Sequence, residues 1–179
     1  MKQIITQHGW GLNKHFWDDY KVDFLKNHWH WQDNERGYFS NNNYQAKLIE
    51  SDSKKEIRMT LCHSFGFHLM KKKVLKEATH IVLINSFNNF LPSGNKRNFV
   101  LRSLKRMETK IKKDEPKDML KEFMHRSFMP NDINNSFKNI FYKNLKSLNK
   151  TLLLNDLKQL YIDRDFPVFL RKTGKSLLM

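Results

Sequence analysis

The chain holds one cysteine, Cys62, in 179 residues. A single thiol excludes an internal disulfide and a cysteine-built metal centre, and it fits a reducing, cytoplasmic setting. Long apolar runs are missing as well. No stretch reaches the roughly 18 residues that a membrane-spanning helix needs. Met1–Ile5 leads straight into a strand-like run, with no signal-peptide core. Acidic residues are also scarce: eighteen, against thirty-three Lys and Arg, which leaves a net charge of +15. Such an excess points either to an acidic partner (nucleic acid, anionic lipid, acidic protein) or to a coding preference for Lys and Asn. The charge is uneven, however. Lys96, Arg97, Arg102, Lys105, Arg106, Lys110, Lys112 and Lys113 crowd together with only Glu108 among them, which a coding bias does not explain. What the chain does have is 39% hydrophobic and 13% aromatic residues, enough for one globular domain over 1–179.

The first half alternates strand and helix patterns. Ile4-Ile5-Thr6 marks a strand over Lys2–Gln7, ended by the loop His8-Gly9-Trp10-Gly11. Asn13 is placed to cap a helix over Lys14–Lys26. His28–Trp31 reads as a second strand and Asp33–Asn43 as a loop. Tyr44–Ser51 reads as a short helix, Glu56–Cys62 as a buried strand, Gly66–Ala78 as a helix, and His80–Ile84 as another strand. This order predicts a parallel sheet flanked by helices. From Pro92 the pattern turns helical. Four stripes follow, beginning with Phe99, Leu101, Leu104 and Met107, then Met119, Leu120, Phe123 and Met124 after Pro116. Ile133 to Leu148 and Leu153 to Tyr161 supply the third and fourth, and Phe166–Leu170 reads as one more strand.

Ser64, in "LCHSFGF", stands between the strand pattern "EIRMTL" and the helix pattern "FHLMKKKVLKEA". A nucleophile elbow puts its serine on a strained turn, so small residues are needed two places to either side. Gly66 meets that need downstream, and Cys62 is small enough upstream. A helix starting there brings backbone N–H groups and its dipole to the serine oxygen. An oxyanion needs two such donors. Phe65 N–H supplies one, and the "HGWG" loop after the first strand suits the other, Trp10 N–H. The expected architecture is therefore an α/β-hydrolase-like parallel sheet flanked by helices, with a helical lid insertion over 92–150.

"HGWGLNKHFW" resembles the oxyanion loop and following helix of the pimeloyl-[acyl-carrier protein] methyl ester esterases of biotin synthesis. "RGYFS" (Arg36–Ser40) and "NSFNNF" (Asn85–Phe90) resemble later segments of that family. The likeness covers most of Met1–Phe90. It implies hydrolysis of the methyl ester of pimeloyl-acyl carrier protein, with no cofactor or metal. Ser64 would be the nucleophile, and Trp10 and Phe65 the oxyanion hole. The basic segment with Arg97, Arg102, Lys105, Arg106, Lys110 and Lys113 would dock the acidic carrier protein.

The sequence departs from that family where the acid and base should follow the later strands. No histidine follows His125, and "RKTGKSLLM" stands where a further helix, strand and histidine are expected, so the C-terminal part is short. Asp163, with Pro167 four places on, mimics a catalytic-acid loop but follows a helix pattern. His8 and His63 flank the elbow and read as structural; His68 should point away from Ser64, and His80 begins a strand at the opposite end. His15, His28 and His30 have no placement to recommend them. His125, in "EFMHRSF", lies on the lid and is the expected base. No carboxylate is assigned to orient it; Asp118 and Asp132 are neighbours in sequence only. Two other readings stay open: a catalytically silent hydrolase-like binding module, and a basic nucleic-acid-binding protein, although no helix-turn-helix, finger or RNA-binding signature is present.

Overall fold

Alternation of β-branched runs with amphipathic stretches produces a parallel sheet in the computed structural model, which describes residues 1–40, 42–50, 56–130, 132–133, 135–164, 167–171 and 176–178. The strands are β1 (Lys2–Gln7), β2 (His30–Asp33), β3 (Ile57–His63), β4 (His80–Ile84) and the short β5 (Ser176–Leu178). All pairings are parallel, in the order β2-β1-β3-β4-β5. The protein is thus α/β. By compactness the chain divides into two units, Met1–Arg36 with Asn42–Phe87 and Asp165–Met179, and Gly37–Asn41 with Asn88–Arg164.

In the sheet unit, β1 is buried along Gln3–Gln7, as a central parallel strand should be. One core packs Ile5, Cys62, Ile81 and Leu83 against Phe67, Met70, Val74, Leu75 and Ala78. These come from α2 (Gly66–Leu69) and α3 (Lys72–Glu77) and their flanks. A second core gathers Ile4, Trp31 and Leu61 with Trp17, and Phe16 and Phe24 pack on it from the segment before and within α1 (Asp18–Lys26). Asn13 caps this segment as expected, its Oδ1 accepting from His15 N–H at 3.1 Å, although the first turn, Lys14–Trp17, is 3₁₀.

Several expectations are corrected. Tyr44–Glu50 is not helical (Ser51 lies outside the described residues). Its backbone bonds to distant partners instead: Tyr44 pairs with Glu35, Ala46 N–H donates to Asn34 Oδ1, and Ile49 N–H donates to Gln3 Oε1. The helix expected over Gly66–Ala78 is broken at Met70 and Lys71, whose ψ angles are 134° and 131°. The break lets Met70 sink into the core beside Val74 and Leu75. Of the strand expected over Phe166–Leu170, Val168–Leu170 instead lies in a turn of helix, α8 (Val168–Arg171), with Leu170 N–H donating to Pro167 O at 3.0 Å; Phe166 lies outside the described residues. Proline's fixed φ favours a helical start.

The second unit is helical: α4 (Lys96–Lys112), α5 (Pro116–Phe128), α6 (Asn135–Asn144) and α7 (Lys150–Gln159). Leu104 and Ile111 from α4, Met119, Leu120 and Met124 from α5, Phe141 from α6 and Leu153 and Leu157 from α7 are all buried. Phe99, placed in the first stripe by spacing, is 66% exposed. Pro116 occupies the first turn of α5, where its missing N–H costs nothing. Tyr38, carried by the short Gly37–Asn41 piece, donates its buried hydroxyl to Asp156 Oδ2 on α7 at 2.7 Å.

Candidate active site

β1 and β3 are neighbours, but the chain leaves β1 for β2 on one side and returns to β3 on the other. The loops after β1 and β3 therefore flank the point where the strand order reverses. Open α/β sheets bind their ligands at such a point, outside the carboxyl ends of the strands. The two motifs singled out by sequence, His8–Gly11 and Ser64–Gly66, are those loops.

Ser64 follows β3 directly and has φ 53°, the left-handed region that costs a non-glycine residue about 1–2 kcal/mol. Its surroundings hold it there. Ser64 N–H donates to Ile84 O at 2.9 Å, at the end of β4. Ser64 O accepts from the Ser86 hydroxyl at 3.0 Å, and the same hydroxyl lies 3.2 Å from Cys62 O. Gly66 then begins α2 in close contact with the end of β1. A Cβ placed on it would lie 2.4 Å from Gln7 O and 2.8 Å from His8 O. Only glycine fits. Gly9 is close too, though less tightly: its Cβ would lie 3.0 Å from both Ser64 Cβ and His63 Nδ1. The glycine loop is thus packed onto the serine turn, and the side-chain-free positions are what permit that approach.

Trp10 and Phe65, the expected oxyanion residues, are both buried, one in each of these loops. The helix-dipole argument for this site is corrected: α2 spans only Gly66–Leu69, too short to sum a macrodipole. The donors that matter are individual N–H groups. Cys62, two places before Ser64, is fully buried in the core, and burial pushes its thiol well above the usual range. It fills space and is no nucleophile.

The histidines sort by their partners. His8 is fully buried, with Nδ1 3.0 Å from Gly9 O and Nε2 accepting from Arg36 N–H at 3.1 Å. Both ring nitrogens are engaged, and they tie the glycine loop to the chain beyond β2. His63 stacks on Phe16 at 4.4 Å between centroids. Burial, and then His8 nearby, lowers its pKa to about 4, and its Nδ1 has no partner among the described residues. His68 donates to or accepts from nothing on Ser64; its Nε2 lies 2.8 Å from Phe87 O. His30 and His80 begin their strands, at the sheet end opposite Ser64. His15 pairs with Asp18 at 2.8 Å, and His28 is exposed after α1. Within the sheet unit, no hydrogen-bond partner is found for the Ser64 hydroxyl among the described residues.

In the helical unit, His125 lies on the exposed side of α5, away from buried Met119, Leu120 and Met124. Its ring has no hydrogen-bond partner among the described residues. Asp163, the mimic of a catalytic acid, is held by Arg97 in a two-pronged pair, at 2.7 and 3.2 Å. Lys110 pairs with Glu122 at 2.7 Å, which holds the Glu122 carboxyl below the usual range. Arg97 and Lys110 are therefore matched by acids that spacing along α4 does not reveal. Arg102, Lys105, Arg106 and Lys113 are exposed and make no ion pair among the described residues. Among those residues no cluster of His, Cys, Asp and Glu could hold a metal ion, and no helix is long and apolar enough to cross a membrane. Comparison with known proteins returns neither a matching family model nor a matching curated sequence.

Proposed function

We propose that the protein is a serine carboxylesterase of the α/β-hydrolase kind, with Ser64 as nucleophile. One observation carries the reading: a non-glycine residue at φ 53°, at the carboxyl end of β3, with Gly9 packed against His63 and Ser64 and Gly66 packed against the backbone at the end of β1. Backbone strain of this kind persists only where neighbours enforce it, and it gathers at functional sites. A nucleophile elbow is such a strained strand-to-helix turn, and its position at the strand-order reversal supports the same reading.

In this mechanism Ser64 Oγ attacks the ester carbonyl while a histidine takes its proton. The oxyanion is received by the N–H groups of Phe65 and Trp10, methanol leaves, and water releases the acid. For the base we retain His125, because each of the other seven histidines is engaged elsewhere, buried against Phe16, or placed away from the carboxyl ends of the strands. The substrate implied by the resemblance is the methyl ester of pimeloyl-acyl carrier protein. The carrier would meet the exposed cations Arg102, Lys105, Arg106 and Lys113, with Arg97 and Lys110 contributing less because Asp163 and Glu122 neutralise them.

A catalytically silent hydrolase-like module is the second reading, favoured by the lack of a histidine bonded to the Ser64 hydroxyl among the described residues. Hydrolysis of p-nitrophenyl butyrate by wild type, Ser64→Ala and His125→Ala separates the two. The esterase reading requires activity that Ser64→Ala abolishes and that His125→Ala lowers by orders of magnitude. No activity in wild type would establish the silent module. Full activity in Ser64→Ala would overturn Ser64 as nucleophile, and full activity in His125→Ala would overturn the base.

A further inference from the structure

The helical unit contains a cavity of about 290 Å³ between α4 and α5. Its wall is apolar: Phe90, Val100, Leu104, Met107, Met119 and Phe123. Its rim is charged: Arg106 and Lys110 from α4, and Glu122 and Arg126 from α5. Glu122 is shared between Lys110 and Arg126, at 2.7 Å from each. Three cations thus face one carboxylate, and Arg106 is exposed without an ion-pair partner among the described residues. An apolar wall beneath a cationic rim matches a ligand with an aliphatic body and one anionic end.

We propose that this cleft binds a free medium-chain alkyl carboxylate, with its chain among Leu104, Met107, Met119 and Phe123 and its carboxylate on Arg106 and Arg126. The volume lies just below the roughly 300–1,000 Å³ of small-molecule sites, which suits a short flexible chain and not a bulky ring system. Met107 and Met119 are unbranched and adapt their shape to such a chain. Guanidinium groups pair with a carboxylate through two parallel N–H donors. The inference stands on the helical unit alone and does not depend on catalysis at Ser64.

The test is a titration of the full chain, labelled with ¹³C at its methionine methyls, with decanoate, decanol and decyltrimethylammonium below their aggregation limits. Decanoate should shift the Met107 and Met119 signals and leave those of Met59 and Met70, in the sheet unit, in place. Decanol should bind more weakly, and the cationic amphiphile weakest. In the Arg106→Gln, Arg126→Gln double variant the decanoate affinity should fall roughly tenfold, as two partly exposed charge contacts are lost, with decanol binding unchanged. Unchanged decanoate binding in that variant would overturn the proposal. So would equal binding of decanol or the cation, absence of decanoate binding, or shifts confined to Met59 and Met70.

Discussion

Replacing Gly66 by alanine should destabilise the sheet unit and disarm the site at once. The added methyl would meet Gln7 O at 2.4 Å and His8 O at 2.8 Å. Both are backbone atoms that no rotamer change can move. Restoring an ordinary contact requires α2 and the end of β1 to separate by nearly 1 Å. Phe67 and Leu75 are buried on one side and Ile5 on the other, so the separation opens packed core. Overpacking of this kind costs typically about 1–3 kcal/mol, and the backbone position of the clash argues for the upper half of that range. That is a large part of the roughly 5–15 kcal/mol by which a domain is stable. All four tryptophans, Trp10, Trp17, Trp29 and Trp31, lie in the sheet unit, so their fluorescence during urea unfolding reports on it. With a slope of about 2 kcal/mol per molar urea, the midpoint should fall by about 1 M. Labelling of Ser64 by a fluorophosphonate should fall with it, since the peptide that moves carries the glycine loop. A midpoint within about 0.2 M of wild type, with labelling intact, would refute the close approach and the constraint on Ser64 built on it.

Three further outcomes follow from the same geometry. Ser64→Gly relieves the positive φ and should be more stable than Ser64→Ala, by up to about 1 kcal/mol in urea unfolding; the reverse order would contradict a strained serine. His63 has a folded pKa of about 4 against an ordinary 6.5, so the unfolded chain binds its proton first. Its contribution is fully present above about pH 6.5 and is lost as pH falls toward 4, at most about 3 kcal/mol. His63→Phe should flatten that part of the stability–pH curve, and an unchanged curve would refute a buried neutral ring. Reversing two unpaired charges, Arg102→Glu with Lys105→Glu, should raise KM several-fold for the carrier-linked ester, an effect that fades as salt shortens the screening length below about 8 Å. Hydrolysis of p-nitrophenyl butyrate should stay as it was. Equal loss on both substrates, or on neither, would remove α4 as the docking surface.

The first four strands were the most legible part of the chain. Ile4-Ile5-Thr6 and His80–Ile84 carry their own β signal, and β1 and β4 fall where those runs lie. Strand β2 sits two residues later than the His28–Trp31 reading, at His30–Asp33, because its pairing with β1 and not its own mixed pattern sets its ends. Tyr44–Glu50 could not be read locally: what holds it are Asn34, Glu35 and Gln3, from 9 residues away for the Glu35–Tyr44 bridge to 46 residues away for the Gln3–Ile49 bond. The break at Met70 is decided by core packing and has no glycine or proline to announce it. At the site, the small residues around Ser64 were visible, and the strain they permit follows from them. The partners of the charged residues were not. Arg97 meets Asp163 across 66 residues, a pairing that helical spacing does not encode, and Lys110 meets Glu122 across a turn between two helices.

The central claim is that Ser64 is an activated nucleophile. The most direct measurement is reaction of the full chain with a fluorophosphonate, followed by peptide mapping of the adduct. The account predicts one phosphonylated residue, Ser64, with no adduct in Ser64→Ala and a slowed reaction in His125→Ala. An adduct on another residue, or no adduct under conditions that label a known serine esterase, would contradict it.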